Sequence, residues 1–330
     1  MAAPLPCLVL SDGRRGIENQ ALGLAEAIGR LRPLDIQSVT LKNTHIFKAL
    51  PPRLQLALRP RPHSYGLPEP APKLIIGCGR QAIAPLLALK KTYGATVFTV
   101  YIQHPRLTPE HFDLVVAPFH DRLEGNNVLG MIGAPHRITP AGLAEAATAF
   151  RDRLSTLPSP RIAVLIGGPS KTRKLTRPIR DAHLQAVTDL LAKGHSVMLS
   201  TSRRTPEDVN TAWRELAGRE DRLWFYDGHR PKGDNPYQAF LGAADAVLVS
   251  EESTNMLVEA CASGKPVFRL PMAGRPGKFE HLYAALETRC HVRPYQGRLS
   301  APPYPPLQET ARIAAETLPR LRILDERTGG

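Results

Sequence analysis

Two short stretches in the second half of the sequence combine glycine or hydroxyl residues with several cations. GGPS (167–170) leads into KTRKLTRPIR (171–180), which has five basic residues and no acidic one, and TSRR (201–204) has a similar character. Guanidinium, ammonium and backbone N–H groups are the donors that bind phosphate. The alternative is a solvated run of surface charges. The predicted diphosphate-binding residues are Gly168, Ser170, Lys171, Arg173, Thr201, Ser202, Arg203 and Arg204.

A third polar stretch, SEESTN (250–255), follows the apolar run AVLV. Glu251 or Glu252 can accept hydrogen bonds from sugar or ribose hydroxyls. Ser253 and Thr254 are suited to the start of a helix, where free N–H groups bind phosphate. We predict that these residues, together with Asn255, hold the donor part of a ligand.

The first half has a comparable loop, SDGRRGIENQ (11–20), after its first apolar run. It lacks the G-x-G-x-x-G spacing of a dinucleotide site. Ordinary turn chemistry with an N-cap is the alternative interpretation of this loop. A second glycine turn, GCGRQ (77–81), has close helix–sheet packing as its alternative. The residues predicted to line a ligand cleft are Arg14, Glu18, Asn19, Gln20, Gly79, Arg80 and Gln81.

Proton transfer needs a side chain that can accept a proton near neutral pH. We expect Asp12 or His104 to have this role, His104 because imidazole titrates in that range. A structural role for a single loop histidine is the alternative. The spacing of His104, His111 and His120 matches no metal site, so we expect neither a metal nor a cofactor.

Short apolar runs alternate with helical patterns, which is typical of a parallel α/β fold. Predicted strands are 7–10, 35–41, 74–77, 96–102, 114–117, 128–132, 162–166, 197–201, 223–226, 246–249 and 267–270. Predicted helices are 19–31, 81–91, 141–154, 179–193, 206–218, 235–243 and 254–263. The Pro/Ser-rich stretch 155–160 resembles a linker. We therefore predict two Rossmann-like domains, 1–155 and 161–306, facing a central cleft, and a helix in 307–330 that packs back on the first domain. The first domain is the expected acceptor side and the second the nucleotide-sugar side.

Composition excludes several classes of protein. The net charge is +13, with 18 basic and 11 acidic residues in 1–160 and 25 and 19 in 161–330, so the excess is not confined to a tail. An anionic partner is indicated, but nucleic acid is not expected, because no helix has a concentrated basic face and aromatic residues are only 6%. Four separated cysteines and no signal-peptide pattern favour a cytoplasmic address.

One segment could place the protein on a membrane. HIFKALPPRLQLALRPR (45–61) mixes apolar and basic residues, a composition that can rest on anionic lipid. An ordinary surface helix over the sheet is the alternative. Peripheral contact with the inner face of the cytoplasmic membrane is the localisation that this segment would give.

The stretch 235–266 resembles the carboxyl-terminal nucleotide-sugar domain of GT-B glycosyltransferases. The whole chain is similar to the "elongated mitochondria" mitochondrial-fission family of plants and its bacterial homologues. The motifs that carry the likeness are SDGRRGIENQALGLAEAI (11–28), IGCGRQAIAPLLALKK (76–91), YIQHPRL (101–107), FDLVVAPFHD (112–121), GAPHRIT (133–139), VLIGGPSK (164–171), STSRRTP (200–206) and SEESTNMLVEACASGKPVF (250–268).

This resemblance implies a GT-B-like fold. Bacterial members are often labelled nucleoside-diphosphate-sugar epimerases and plant members act as adaptors on mitochondria, so it implies no catalytic residue. Many glycosyltransferases have a histidine or a Gly-Gly-x-Gly-Gly string after the first strand, where this chain has Asp12-Gly13-Arg14.

The leading hypothesis is a metal-independent glycosyltransferase. It would move sugar from a nucleotide-diphosphate donor to a cell-envelope or lipid-linked acceptor at the membrane surface. A nucleotide-sugar epimerase and a non-catalytic, membrane-associated adaptor are the alternatives.

Overall fold

A computed structural model describes residues 3–41, 54 and 70–328, with side chains of the last helix described as far as Leu321. The predicted membrane segment 45–61, Leu54 apart, lies outside the described residues. The chain divides into two compact units, residues 1–137 with 308–330, and residues 138–307. In the described part of the chain, no helix is long and apolar enough to cross a membrane.

Each strand of the first unit pairs in parallel with its neighbours in one sheet, in the order β2-β1-β3-β4-β5-β6. The strands are β1 (Leu5–Ser11), β2 (Leu34–Thr40), β3 (Leu74–Cys78), β4 (Phe98–Ile102), β5 (Leu114–Pro118) and β6 (Val128–Met131). Strands β3, β4 and β5 are buried along their whole length. Continuous apolar strands form where both faces of a parallel sheet are covered, and apolar clusters lie on both faces here.

Helices cover both faces of this sheet. They are α1 (Arg15–Leu31), α2 (Ile83–Tyr93) and, from the end of the chain, α10 (Glu309–Thr328). The C-terminal helix packs on α1, and its Ile313, Ala314 and Leu321 are buried in the same core cluster as Leu24 and Ile28. The first unit is therefore completed by residues from the far end of the sequence.

The second unit contains another parallel sheet, in the order β10-β9-β7-β11-β12-β14. Its strands are β7 (Arg161–Ile166), β9 (Ser196–Thr201), β10 (Leu223–Tyr226), β11 (Ala246–Ser250), β12 (Val267–Leu270) and β14 (Arg293–Pro294). A separate antiparallel pair joins β8 (Arg173–Lys174) to β13 (Ala273–Gly274). The helices are α3 (Pro140–Ala149), α4 (Arg151–Ser155), α5 (Arg177–Ala192), α6 (Glu207–Ala217), α7 (Tyr237–Ala243), α8 (Thr254–Ala262) and α9 (Phe279–Cys290).

The predicted α/β class with two Rossmann-like parallel sheets is confirmed, and each predicted strand is present within a few residues of its expected bounds. Other details differ. Helix α1 begins at Arg15 rather than at residue 19, and the predicted helix 141–154 is two helices that meet at Phe150. Helix α9 and the short strands β8, β13 and β14 were not predicted.

The two units separate after Arg137, ahead of the stretch 155–160 that we interpreted as a linker. Helix α3 packs against α7, and this contact assigns residues 140–149 to the second unit. The Pro/Ser-rich stretch is a turn between α4 and β7 inside that unit. Proline marks the turn in the sequence but does not tell which core the preceding helix joins.

Two glycines of α1 give a test of the packing in the first unit. A Cβ at Gly23 would lie 2.5 Å from the backbone carbonyl carbon of His136, whereas one at Gly29 would meet only Leu34 at 3.9 Å. We expect Gly23→Ala to lower the free energy of unfolding by about 1–3 kcal/mol, because rigid backbone must shift. The matched control Gly29→Ala should raise it by roughly 0.5–1 kcal/mol through helix propensity. Calorimetric melting measures both; an equal effect of the two changes would contradict this packing.

Candidate functional site

The chain connections of the second unit leave β7 and β11 in opposite directions. From β7 the chain runs to β9 and β10 on one side of the sheet, then crosses to β11 on the other side. Ligands of open α/β sheets bind at such a switch point, outside the carboxyl ends of the strands. The loops after β7, β9 and β11 are three of the stretches that the sequence singled out, and the structure brings them together here.

Two glycines after β7 allow these loops to approach each other. A Cβ on Gly167 would lie 1.7 Å from Oε1 of Glu252, and a Cβ on Gly168 would lie 2.2 Å from the carbonyl oxygen of Arg204. Side chains are therefore excluded at both positions. The glycines bring the β9 and β11 loops into van der Waals contact with the backbone that follows β7.

Hydroxyl groups tie the same loops together. Thr205 Oγ1 donates to the carbonyl oxygen of Gly167 (2.7 Å) and accepts from the amide of Ser202 (3.0 Å). Ser250 Oγ accepts from the amide of Gly167 (2.7 Å). Neither Thr205 nor Ser250 was among the predicted site residues. Ser and Thr at strand ends are common in any turn, so their types alone carry no signal.

Three cations belong to the loops after β7 and β9, and we call them the rim cations. Lys171, Arg203 and Arg204 are exposed, and among the described residues none of them forms an ion pair. Surface arginines are usually drawn to nearby carboxylates, so unpaired guanidinium groups beside a glycine turn remain available to an anion. This arrangement agrees with the diphosphate prediction for these residues.

Arg173 and Glu251 are engaged inside the protein. Arg173 Nη1 lies 2.9 Å from Glu251 Oε1 and donates to the carbonyl oxygens of Met272 and Gly274. The amide of Met272 donates to Glu251 Oε1 (2.8 Å), and Arg269 Nη1 is 3.5 Å from Oε2. These contacts attach the β8–β13 pair to the loop after β11. The structure therefore shows a structural role for both side chains, and their predicted ligand contacts stay predictions.

Glu252 has a different environment. Its side chain is buried (9% exposed), and neither carboxyl oxygen accepts a hydrogen bond of normal geometry. Burial raises the pKa of Glu252 to about 7, against the opposing influence of the Ser250 hydroxyl and the positive charge of Arg204. A buried carboxyl without partners is costly to the folded state, so its position at the switch point marks it as a candidate functional group.

The other predicted donor-site residues lie on the same strand ends. Thr201 Oγ1 accepts from Gly228 N, Ser202 Oγ accepts from Arg204 N, and Ser170 Oγ accepts from Arg173 N. Ser253 is the N-cap residue of α8, but its side chain makes no capping hydrogen bond. Thr254 and Asn255 are half-buried in the first turn of that helix. The hydroxyls after β7 and β9 shape their own loops.

The first unit has its own switch point, between β1 and β3. Here too a carboxyl group faces a glycine: a Cβ on Gly79 would lie 3.7 Å from Asp12 Oδ2. Unlike Glu252, Asp12 has a strong partner, because Arg14 donates to its Oδ2 through Nε (2.9 Å) and Nη2 (2.6 Å). The guanidinium of Arg14 is 67% exposed and covers a carboxylate that is fully buried.

The remaining residues predicted in the first unit are divided between helix and loop. Glu18, Asn19 and Gln20 lie within α1 rather than in a loop. Gln20 is buried, and its Oε1 accepts from Gln103 Nε2 (3.0 Å) and from the Cys78 thiol (3.3 Å). This amide therefore joins α1 to the ends of β3 and β4. Arg80 and Gln81 form a single 3-10 turn after Gly79.

His104 lies in the loop after β4, next to a backbone feature that the sequence did not reveal. Gln103 has a φ of 88° and Arg106 a φ of 57°, in the region that favours glycine. His104 Nδ1 accepts from the amide of Arg106 (2.9 Å). This bond orients the ring and, in the neutral imidazole, places the proton on Nε2.

Comparison with protein families and curated relatives identifies similar proteins. The family model described as mitochondrial fission ELM1 matches residues 15–321. The mitochondrial fission protein ELM1 of Arabidopsis thaliana is 29% identical over 269 residues, which cover 74% of this chain and 62% of that protein. This chain thus spans less than two thirds of the length of that relative.

Solved structures with a similar fold include nucleotide-sugar epimerases. A UDP-GlcNAc 2-epimerase from Methanocaldococcus jannaschii has a TM-score of 0.53 and 12% identity, covering 96% of this chain and 99% of that one. A UDP-GlcNAc 2-epimerase from Neisseria meningitidis, solved bound to UDP-GlcNAc, has a TM-score of 0.50 and 13% identity, covering 96% and 100%. At this identity the likeness shows the fold, which is GT-B.

The environment of Glu252 predicts a pH-dependent effect on stability. A carboxyl with a pKa of about 7 when folded, against an ordinary value of 4.5, lowers stability as the pH rises from the lower value to the higher one. Glu252→Gln removes this loss. We expect the variant to exceed the wild type by on the order of 2 kcal/mol at pH 8 and by little at pH 4.5.

Melting temperatures from pH 4.5 to pH 8 measure this difference. Glu215→Gln, at an exposed position on α6, is the matched control and should follow the wild type throughout. A gap between Glu252→Gln and wild type that does not change with pH would contradict the assigned environment.

Proposed function

This chain belongs to the mitochondrial fission ELM1 family, and from that premise and its GT-B fold we propose that it is a glycosyltransferase. Its donor is a nucleotide-diphosphate sugar, and its acceptor is a cell-envelope or lipid-linked group at a membrane surface. The carrying observation is the set of unpaired cations, Lys171, Arg203 and Arg204, around the glycine turn after β7. No cofactor is proposed besides the nucleotide-sugar substrate.

Charge development explains why these cations matter in such a reaction. When the bond between the anomeric carbon and the diphosphate breaks, negative charge accumulates on the leaving phosphate oxygens. Fixed donors that already point at this position stabilise the transition state without reorganisation. Arg203 and Arg204 follow a buried strand and lie in a loop held by Thr205, so their backbone is positioned before ligand binds.

The acceptor hydroxyl must lose a proton as its oxygen attacks the anomeric carbon. We propose Asp12 or His104 of the first unit as the group that takes it. Asp12 Oδ2 accepts two hydrogen bonds from the Arg14 guanidinium, and Oδ1 accepts one from the Arg14 amide, so the free acceptor capacity of Asp12 lies on Oδ1. His104 accepts through Nδ1 from the Arg106 amide, so this nitrogen must release the amide before it takes a proton.

Epimerisation of a nucleotide sugar is the second candidate, favoured by the epimerase structures that share the fold. It needs the same donor site but no acceptor. Incubation with UDP-GlcNAc and other nucleotide sugars separates the two reactions. An epimeric sugar formed without acceptor identifies the epimerase, and sugar transfer that requires acceptor identifies the transferase. A protein that binds none of these ligands fits the adaptor role of the plant relatives.

Removal of the paired arginines tests the donor site. We expect Arg203→Ala/Arg204→Ala to weaken the binding of nucleotide diphosphates about tenfold or more in calorimetry, because each charge-assisted hydrogen bond contributes roughly 1.5–3 kcal/mol. Arg219→Ala/Arg298→Ala makes the same change of charge at two other exposed positions and is the control. Equal affinities of the two double variants would argue against the site.

The membrane surface is tested separately. We expect the protein to co-float with vesicles that contain anionic phosphatidylserine at low salt and to dissociate as salt screens the attraction. Replacement of Lys48, Arg53, Arg59 and Arg61 by glutamine should abolish flotation. Wild-type protein that stays at the bottom of the gradient at low salt would rule out this localisation.

A further inference from the structure

Glu252 is a buried carboxyl group with two empty acceptor positions. In the part of the chain that the structure describes, it is the carboxyl whose two oxygens are both buried and both without a hydrogen-bond partner. Folding keeps it there because Gly167 leaves room for it and because Glu251, the preceding residue, is fixed by Arg173 and Arg269. The Ser250 hydroxyl is near enough to oppose the rise in the pKa of Glu252, but among the described residues no donor makes a hydrogen bond of normal geometry to either oxygen.

The chemistry of a carboxylate limits what can fill them. An ionised carboxylate only accepts hydrogen bonds, so its partner must carry O–H or N–H groups. Phosphate oxygens are acceptors with negative charge and would be repelled. The phosphates of a ligand therefore belong on the cations at the rim, and a hydroxyl-bearing part belongs on Glu252. We propose that Glu252 recognises the sugar or ribose hydroxyls of the ligand, so that this site selects a nucleotide sugar over a bare diphosphate.

This inference rests on the proposed donor site and adds the group by which that site distinguishes a nucleotide sugar from a bare diphosphate. Two other acids of the molecule provide a contrast. Asp12 also faces a glycine at a switch point, but Arg14 occupies it. Glu259 on α8 accepts from the Tyr237 hydroxyl at 2.5 Å. Among these three acids, Glu252 is the one without a hydrogen-bond partner of normal geometry. It contacts the glycine turn at Gly167 and is near enough to Arg204, one of the rim cations, for that charge to affect its pKa.

The charged groups around Glu252 set the pH range of binding. Arg204 approaches from the β9 loop and Glu251 from its own loop, where Arg173 and Arg269 neutralise it. The Ser250 hydroxyl lies nearby, and from the segment after β7 the uncharged Gly167 contacts the carboxyl. The pKa of about 7 means that the carboxylate form becomes dominant above neutrality. Affinity for a nucleotide sugar should therefore rise between pH 6 and pH 8, where the diphosphate diester itself does not titrate.

The experiment compares two kinds of ligand on the full chain. Inorganic pyrophosphate and a panel of UDP-, ADP-, GDP-, CDP- and dTDP-sugars, UDP-GlcNAc included, are titrated calorimetrically into wild type, Glu252→Gln and Glu252→Ala. Both variants should lose roughly tenfold or more in affinity for the tightest nucleotide sugar, as expected for bonds to a charged group. Pyrophosphate affinity should change less than about twofold, because Glu252 does not contact phosphate. The rise of nucleotide-sugar affinity with pH should disappear in both variants.

Retained pyrophosphate binding shows that each variant is folded, and Glu215→Gln is the matched control for loss of an acid. An equal loss for both ligands, no loss for either, or a wild type in which no nucleotide sugar binds more tightly than pyrophosphate would overturn the assignment. Failure of the donor site itself has another signature: pyrophosphate then binds wild type no better than it binds Arg203→Ala/Arg204→Ala.

Discussion

The contact between the Glu252 carboxyl and the α-carbon of Gly167 sets the geometry around the ends of β7 and β11. A methyl group at residue 167 would overlap Glu252 Oε1. The absence of a side chain at Gly167 therefore lets the loop after β11 pack directly against the backbone of the loop after β7. The Gly167 amide then reaches Ser250, and the Gly167 carbonyl reaches Thr205. Through Thr205 the β9 loop, with its two arginines, is fixed relative to the other two. The ion pairs of Glu251 hold the far side of the same loop.

The two units have similar parallel sheets but differ in the charges at their switch points. Each has a parallel sheet, a switch point beside its first strand, and an acid that lies near a glycine there. In the first unit the acid is neutralised by an exposed arginine, so the switch point presents a guanidinium to solvent. In the second unit no described residue forms an ion pair with the acid, although Arg204 is near enough to affect its pKa. The same backbone arrangement thus presents a cation in one unit and an acceptor in the other.

The sequence predicts the sheets well because their strands are continuous apolar runs, and this pattern does not depend on the details of side-chain packing. It also locates the loops, since function follows strand ends in this class. It does not tell which charges remain free. Arg173 stands in the same basic run as Lys171, yet it is buried against Glu251 while Lys171 is exposed. That difference arises from the β8–β13 pairing, which joins residues about a hundred positions apart and has no local signal.

The start of α1 and the presence of α9 were not predicted, for similar reasons. The start of α1 contains Arg15 and Gly16 and follows Arg14, a combination that indicates a loop locally. The buried face from Gln20 to Ile28 stabilises the helix through its contacts with the sheet and α10. Helix α9 follows a stretch rich in glycine and proline, and its four buried residues, Leu282, Tyr283, Leu286 and Cys290, find their partners only in the folded unit. Tertiary burial decides both elements.

The C-terminal helix has a consequence for the order in which the chain can fold during synthesis. Residues 138–307 form the second unit without interruption, so its core is complete before α10 leaves the ribosome. The first unit begins earlier but ends later, because Ile313, Ala314 and Leu321 cover apolar side chains of α1 and the sheet. Until those last turns arrive, that apolar surface remains exposed to water and to other chains. Of the two units, the one whose synthesis starts first is therefore the one whose core is completed last.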